Sequence, residues 1–133
     1  MLNALRHLDT SSEFVVIGLF AIIEMLITHN PKLEDRGDSI THQMQTKIPL
    51  LSRRFKRELP THSYFGDADD AKIWTAMYAY RSAVAHGGVA DFTKKLSLLK
   101  NPENANNYLR LAVRSLLRQA FEEPELYRDL KKC

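Results

Sequence analysis

The chain has 133 residues, 44% of them apolar and 26% charged. That is about one domain of ordinary globular composition, which excludes a disordered, collagen-like or disulfide-stapled chain. The one cysteine, Cys133, closes no intrachain bridge, and a net charge of +3 permits an acidic partner such as RNA without demanding one.

The segment from Phe14 to Ile27 is apolar except for Glu24 and Gly18. Arg6 before it raises a signal-peptide reading, but Asp9, Glu13 and Glu24 argue against one, and no small-residue cleavage pattern follows. The run is also shorter than the roughly 18–20 residues that a spanning helix needs. It reads as a core helix over about 12–28, capped by Ser11 or Ser12 and stopped at Asn30-Pro31. A cytoplasmic protein without a membrane partner is the expectation. A helix apolar nearly all round is either central or covered by a second subunit, so a homodimer interface that includes it is expected.

Residues 29–38 read as a loop. Asp38 or Ser39 caps a second helix over about 40–57, with Ile40, Met44, Ile48, Leu51 and Phe55 on its apolar side and a kink or break at Pro49. Residues 58–69 read as a loop. Asp69 or Asp70 caps a helix over about 70–86, with Ile73, Trp74, Met77, Tyr80 and Val84 inward, and Gly87-Gly88 ends it. A shorter helix is expected over about 89–99. Asn101-Pro102-Glu103 reads as cap, first-turn proline and acidic first turn. The helix it opens runs to about Glu122, with Leu109, Ala112, Val113, Leu116, Leu117, Ala120 and Phe121 inward, and Pro124 starts a last one ending near Lys131. The fold class is all-α: one domain over 1–133 with its core at about 12–122, and four main helices with short additions.

Most enzyme signatures are absent. There is no glycine-rich phosphate loop, no His-Glu-x-x-His and no cysteine pair, and His7, His29, His42, His62 and His86 show no metal-ligand spacing. Neither a metal nor a cofactor is expected. What remains is Tyr80-Arg81-Ser82-Ala83-Val84-Ala85-His86-Gly87-Gly88. Arg81 and His86 stand five apart, about 140° around a regular helix, and share a pocket only if the last turn relaxes. There His86 also meets the negative end of the helix dipole, which attracts a cation. The pair suits phosphodiester chemistry: histidine moves a proton near neutral pH, and arginine clamps a phosphate with two parallel hydrogen bonds. The bland alternative is a histidine that caps its helix and an arginine paired with an acid.

Two basic clusters offer phosphate contacts. Arg53, Arg54, Lys56 and Arg57 crowd the end of the second helix, and Arg110, Arg114 and Arg118 fall at four-residue steps on one face of another. Either can equally be a solvated helix face. Tyr64, Phe65, Tyr78 and Tyr80 are candidates for base stacking, with core packing the stronger reading. Glu24 is costly in an apolar helix unless paired, and Arg81 or Arg53 is its expected partner.

The Arg81–His86 segment resembles the signature of the HEPN superfamily, in which an arginine, four to six residues and a histidine end a core helix. Phe14 to Ile27 with its Glu24 resembles the second helix of the ApeA-like HEPN group, and Ile48-Pro49-Leu50-Leu51-Ser52-Arg53-Arg54-Phe55 resembles the stretch after it. The likeness covers about residues 12–120. It implies a four- to five-helix bundle that pairs as a homodimer with both motifs on one cleft. It also implies a metal-independent endoribonuclease of a defence, abortive-infection or toxin–antitoxin system, with RNA as substrate. A protein antitoxin, or further domains of a longer chain of which this is the C-terminal part, would be its other partners. His86 would act as general acid or base, Arg81 would stabilise the phosphate, and the products would be a 2′,3′-cyclic phosphate and a 5′-hydroxyl. Ser82 stands where the family commonly has Asn or Asp, directly after the arginine. The alternatives are a non-catalytic HEPN module that binds RNA, a nucleotide or a protein, and a purely structural dimerisation domain.

Overall fold

A computed structural model describes residues 14–30, 39–87 and 90–133. Helix α1 (Phe14–Ile27) buries Val16, Phe20, Ile23 and Ile27, four positions at three- and four-residue steps, as the helical period requires. The same period puts Phe14, Gly18, Ala21 and Met25 on the opposite, exposed face. Phe14 and Met25 are 64% and 61% exposed, so an apolar stripe faces outward. The expected caps Ser11 and Ser12 lie outside the described residues.

The C-terminal end of α1 is closed by side chains. Thr28 donates from both its backbone N–H and its hydroxyl to Glu24 O. The ammonium of Lys47, itself buried, donates to Ile27 O at 2.8 Å and to Gln43 Oε1 at 3.1 Å. Gln43 and the His29 backbone exchange two hydrogen bonds of 3.1 Å. A buried cation here answers both the unpaired carbonyls and the negative end of the helix dipole.

Helix α2 (Ile40–Ser52) starts at Ser39, whose hydroxyl accepts from His42 N. Pro49 lies inside it without ending it. The helix stops at Ser52, five residues short of the expected 57. Pro49 removes one hydrogen bond of the last turns, and continuing would stack Arg53, Arg54, Lys56 and Arg57 around a single turn. Instead the chain folds back, and Leu59 N donates to Ser52 Oγ. Within the expected loop, Thr61–Phe65 forms a short helix, α3. Tertiary contacts make it: Phe65 packs edge-on against Tyr108 at 4.8 Å, and the Thr61 hydroxyl meets the Tyr108 hydroxyl at 3.0 Å.

Helix α4 (Asp70–Ala85) is capped by Asp69, which accepts from Lys72 N at 2.8 Å. All five expected inward residues, Ile73, Trp74, Met77, Tyr80 and Val84, are buried. The expected helix over 89–99 does not form. Val89 lies outside the described residues, and from Ala90 the chain runs through turns into one 3-10 turn at Ser97–Leu99. Asp91 takes the Thr93 N–H and hydroxyl for itself, a local turn that competes with helix.

Helix α5 (Pro102–Glu122) begins at Asn101, which accepts from Asn104 N, and α6 (Pro124–Lys132) follows after one residue. Leu109, Ala112, Val113 and Leu116 are buried, but Leu117 and Phe121, expected inward, are 44% and 89% exposed. The described residues thus form six α-helices and no strand. Helix α1 packs against α5, α4, α6 and α2, and α2 packs on α4. Phe20, Trp74 and Tyr108 link the layers through ring contacts, and Phe65 and Tyr80 lie in the same core rather than at a stacking surface. Among the described residues, no helix is long and apolar enough to cross a membrane.

Candidate functional site

The C-terminal end of α4 carries the Arg-x4-His pair. His86 has left helical geometry, with φ −92° and ψ 9°, and its N–H still bonds Ser82 O at 3.0 Å. Gly87 follows at φ +72°, a left-handed turn that favours glycine. The ring of His86 is exposed and makes no hydrogen bond or ion pair among the described residues. Arg81 is half-buried. Its guanidinium carbon lies 5.9 Å from the Tyr78 ring centroid, and its Nε is buried without a hydrogen-bond partner among the described residues. An unmet buried N–H costs about 1–3 kcal/mol. Ser82 is half-buried beside it. The pair is separated by about 7.5 Å along the helix axis.

Glu24 does not join them. No ion pair connects it to Arg81 or Arg53, contrary to expectation. It sits one helical turn after Phe20, on the flank of α1 rather than its buried face, and is half-exposed. Water therefore solvates the carboxylate that a buried position would have forced into a pair.

The two basic clusters do come together. Arg54, Lys56 and Arg57, after α2, face Arg114 and Arg118 of α5 across a groove of about 550 Å³. Its apolar lining comes from Phe55, Leu59, Pro60 and Leu111. Arg54 is bonded to Glu123 at 2.7 Å, and Lys56 lies 3.9 Å from Glu122. Arg57, Arg114 and Arg118 make no ion pair among the described residues. Arg53 turns instead to a smaller neighbouring cavity shared with Asp70, Thr61 and Tyr108. Burial pushes the Asp70 carboxyl up, with Asp69 adding to the effect and Arg53 opposing it. Arg110 is half-buried on α5 and does not line the groove.

The groove and the Arg81–His86 pair lie at different ends of α4. Asp70, at its start, shares a cavity with Glu58 and Leu59, which also line the groove. His86 is sixteen residues further along, about 24 Å at the helical rise. The spacing of charges in sequence could not show this separation, nor that two distant clusters would face each other. Sequence reasoning also missed Lys47 and Gln43, polar residues that the fold buries; their flanking apolar stripe gave no sign of it.

Among the described residues, no group of three His, Cys, Asp or Glu side chains clusters as a metal site would require. No family model matches the chain, and comparisons with curated proteins and with solved structures give no match.

Proposed function

We propose that this chain is a HEPN-type domain that cleaves RNA without a metal, using Arg81 and His86. The observation that carries this reading is the buried, unpartnered Nε of Arg81 next to a helix end that presents an exposed, unpaired His86. That Nε is shut off from solvent as it stands, so a phosphate oxygen would supply its missing acceptor once the guanidinium turns outward. The Tyr78 ring lies on one side of the guanidinium and limits the directions in which it can turn. His86 then takes the proton of the ribose 2′-hydroxyl or gives one to the leaving 5′-oxygen, water serving the other transfer, while Arg81 offsets the charge that builds on the phosphorane. The 2′-oxygen forms its bond to phosphorus as the bond to the 5′-oxygen breaks, leaving a 2′,3′-cyclic phosphate and a 5′-hydroxyl. The apolar outer stripe of α1, Phe14, Gly18, Ala21 and Met25, supports pairing of two copies through that helix. A defence or toxin–antitoxin role, with cytoplasmic RNA as target and a protein antitoxin as partner, belongs to the same proposal and rests on the family resemblance.

The test is cleavage of a labelled RNA with and without EDTA by wild type and His86→Ala. Cleavage that survives EDTA and is lost in the variant is expected. Equal background cleavage by both would sink the enzyme reading. A second reading, RNA binding without turnover, is favoured by Ser82 in place of the family's Asn or Asp. Retained RNA affinity with no cleavage by wild type would support it.

A further inference from the structure

We infer that the groove between the α2–α3 connection and α5 is a binding site for single-stranded nucleic acid, separate from the Arg81–His86 pair. Three features of the groove point to this ligand.

The first is charge. Arg57, Arg114 and Arg118 border the groove with their guanidinium groups free of acidic partners among the described residues. Arg114 and Arg118 are one helical turn apart, so their side chains stand side by side along one wall. Guanidinium groups grip phosphate oxygens in pairs, and a row of them follows a phosphate backbone. The second feature is the apolar lining. Phe55 is half-buried and lines the groove together with Leu59, Pro60 and Leu111. Every base has a π face that can stack on an aromatic ring, whatever the sequence. The third is shape. About 550 Å³ accepts one or two nucleotides with a base turned inward, which a paired duplex cannot offer without unstacking. An acidic protein segment would satisfy the charges but would leave the Phe55 ring without a specific use.

The carboxylates set the limits of the site. Glu123 is bonded to Arg54 and Glu122 lies 3.9 Å from Lys56, so each of these rim acids has a cation beside it. Glu58 remains, on the side towards Asp70. A strand would therefore lie nearer the α5 wall, over Arg114 and Arg118. The inference does not require that the chain cleaves RNA.

The experiment is fluorescence anisotropy with a labelled 12-nucleotide uridine RNA across a range of salt. Wild type is compared with Arg114→Glu/Arg118→Glu, Phe55→Leu and His86→Ala. The arginine variant changes only exposed side chains, and Phe55→Leu keeps an apolar side chain of similar size; circular dichroism confirms folding of both. The arginine variant is expected to bind at least about tenfold more weakly. The slope of log affinity against log salt should fall by about 1.4, at about 0.7 for each lost phosphate contact. Phe55→Leu should weaken binding about fivefold, from lost stacking. His86→Ala should lose cleavage and keep the salt slope set by Arg114 and Arg118, so loss of cleavage and loss of groove binding are read separately. No RNA binding by wild type at low salt, or unchanged binding by the arginine variant, overturns the inference. So does a polyglutamate of equal charge that binds as tightly as the RNA, since the surface would then attract any polyanion.

Discussion

Lys47 is buried with its ammonium 2.8 Å from the carbonyl oxygen of Ile27, the last residue of α1. One side chain of α2 thereby closes the end of another helix. Removing it leaves Ile27 O and Gln43 Oε1 without this donor in a site shielded from water. Lys47→Ala should cost about 2–4 kcal/mol from the lost bonds and the space left behind, and Lys47→Met about 1–2 kcal/mol because it refills most of the volume. Urea unfolding of both variants measures the difference. A loss below about 0.5 kcal/mol in Lys47→Ala would show that the contact does not support the fold.

Arg81 should separate stability from activity. Its Nε has no hydrogen-bond partner to lose, so Arg81→Met should unfold within about 1 kcal/mol of wild type. RNA cleavage should fall by about 10²–10³, the usual range when one donor to a developing anion is removed. Arg81→Lys keeps the charge but not the paired donors, and should recover only part of the rate. A large loss of stability with cleavage preserved would assign Arg81 to the core instead.

Tyr108 predicts how the fold responds to alkali. Burial pushes its phenol up from 10.0 to about 12, partly offset by the hydrogen bond to Thr61. The unfolded chain therefore gives up this proton first. The neutral phenol's contribution is fully present below about pH 10 and is lost as pH rises towards 12; its size is about 3 kcal/mol. Tyr127, which donates to Gln119 at 2.6 Å, is pushed up by burial as well and adds to the same alkaline limb. Tyr108→Phe should flatten the fall in melting temperature between pH 10 and 12. An unchanged slope would mean that Tyr108 does not carry it.

The outer face of α1 should control assembly. Ala21 is exposed at the middle of the Phe14–Met25 stripe, so Ala21→Glu adds a charge there without touching the core. Light scattering should give a dimer for wild type and a monomer for the variant, with the helical spectrum unchanged. Cleavage should fall with dimerisation if both motifs serve one cleft. A monomeric wild type at tens of micromolar would refute the pairing.

Local chemistry was readable in the sequence and tertiary placement was not. Ser39, Asp69 and Asn101 each accept a hydrogen bond from a residue three positions on, so three helix starts could be found from a few neighbouring residues. Gly87 marked the end of α4 for an equally local reason. Helix α3 escaped notice because Tyr108, more than forty residues away, supplies the packing that forms it. The expected helix over 89–99 failed where the Asp91 side chain offered the backbone another partner. Phe121 was placed inward by its period, yet α5 ends before a neighbour covers it. At the candidate site, Arg81 and His86 could be named from spacing, whereas the meeting of Arg54 and Arg57 with Arg114 and Arg118 depends on how α5 crosses the end of α2.

The bond between Arg54 and Glu123 spans 69 positions of sequence, and both side chains are largely open to water. Such a contact adds little to stability, on the order of 1 kcal/mol or less. What it does fix is the rim of the groove, where the chain leaving α2 meets the joint between α5 and α6. Ionic strength then acts twice at this place. It screens the attraction for an anionic strand, and it weakens the ion pair that ties up Arg54, leaving that guanidinium less committed to Glu123.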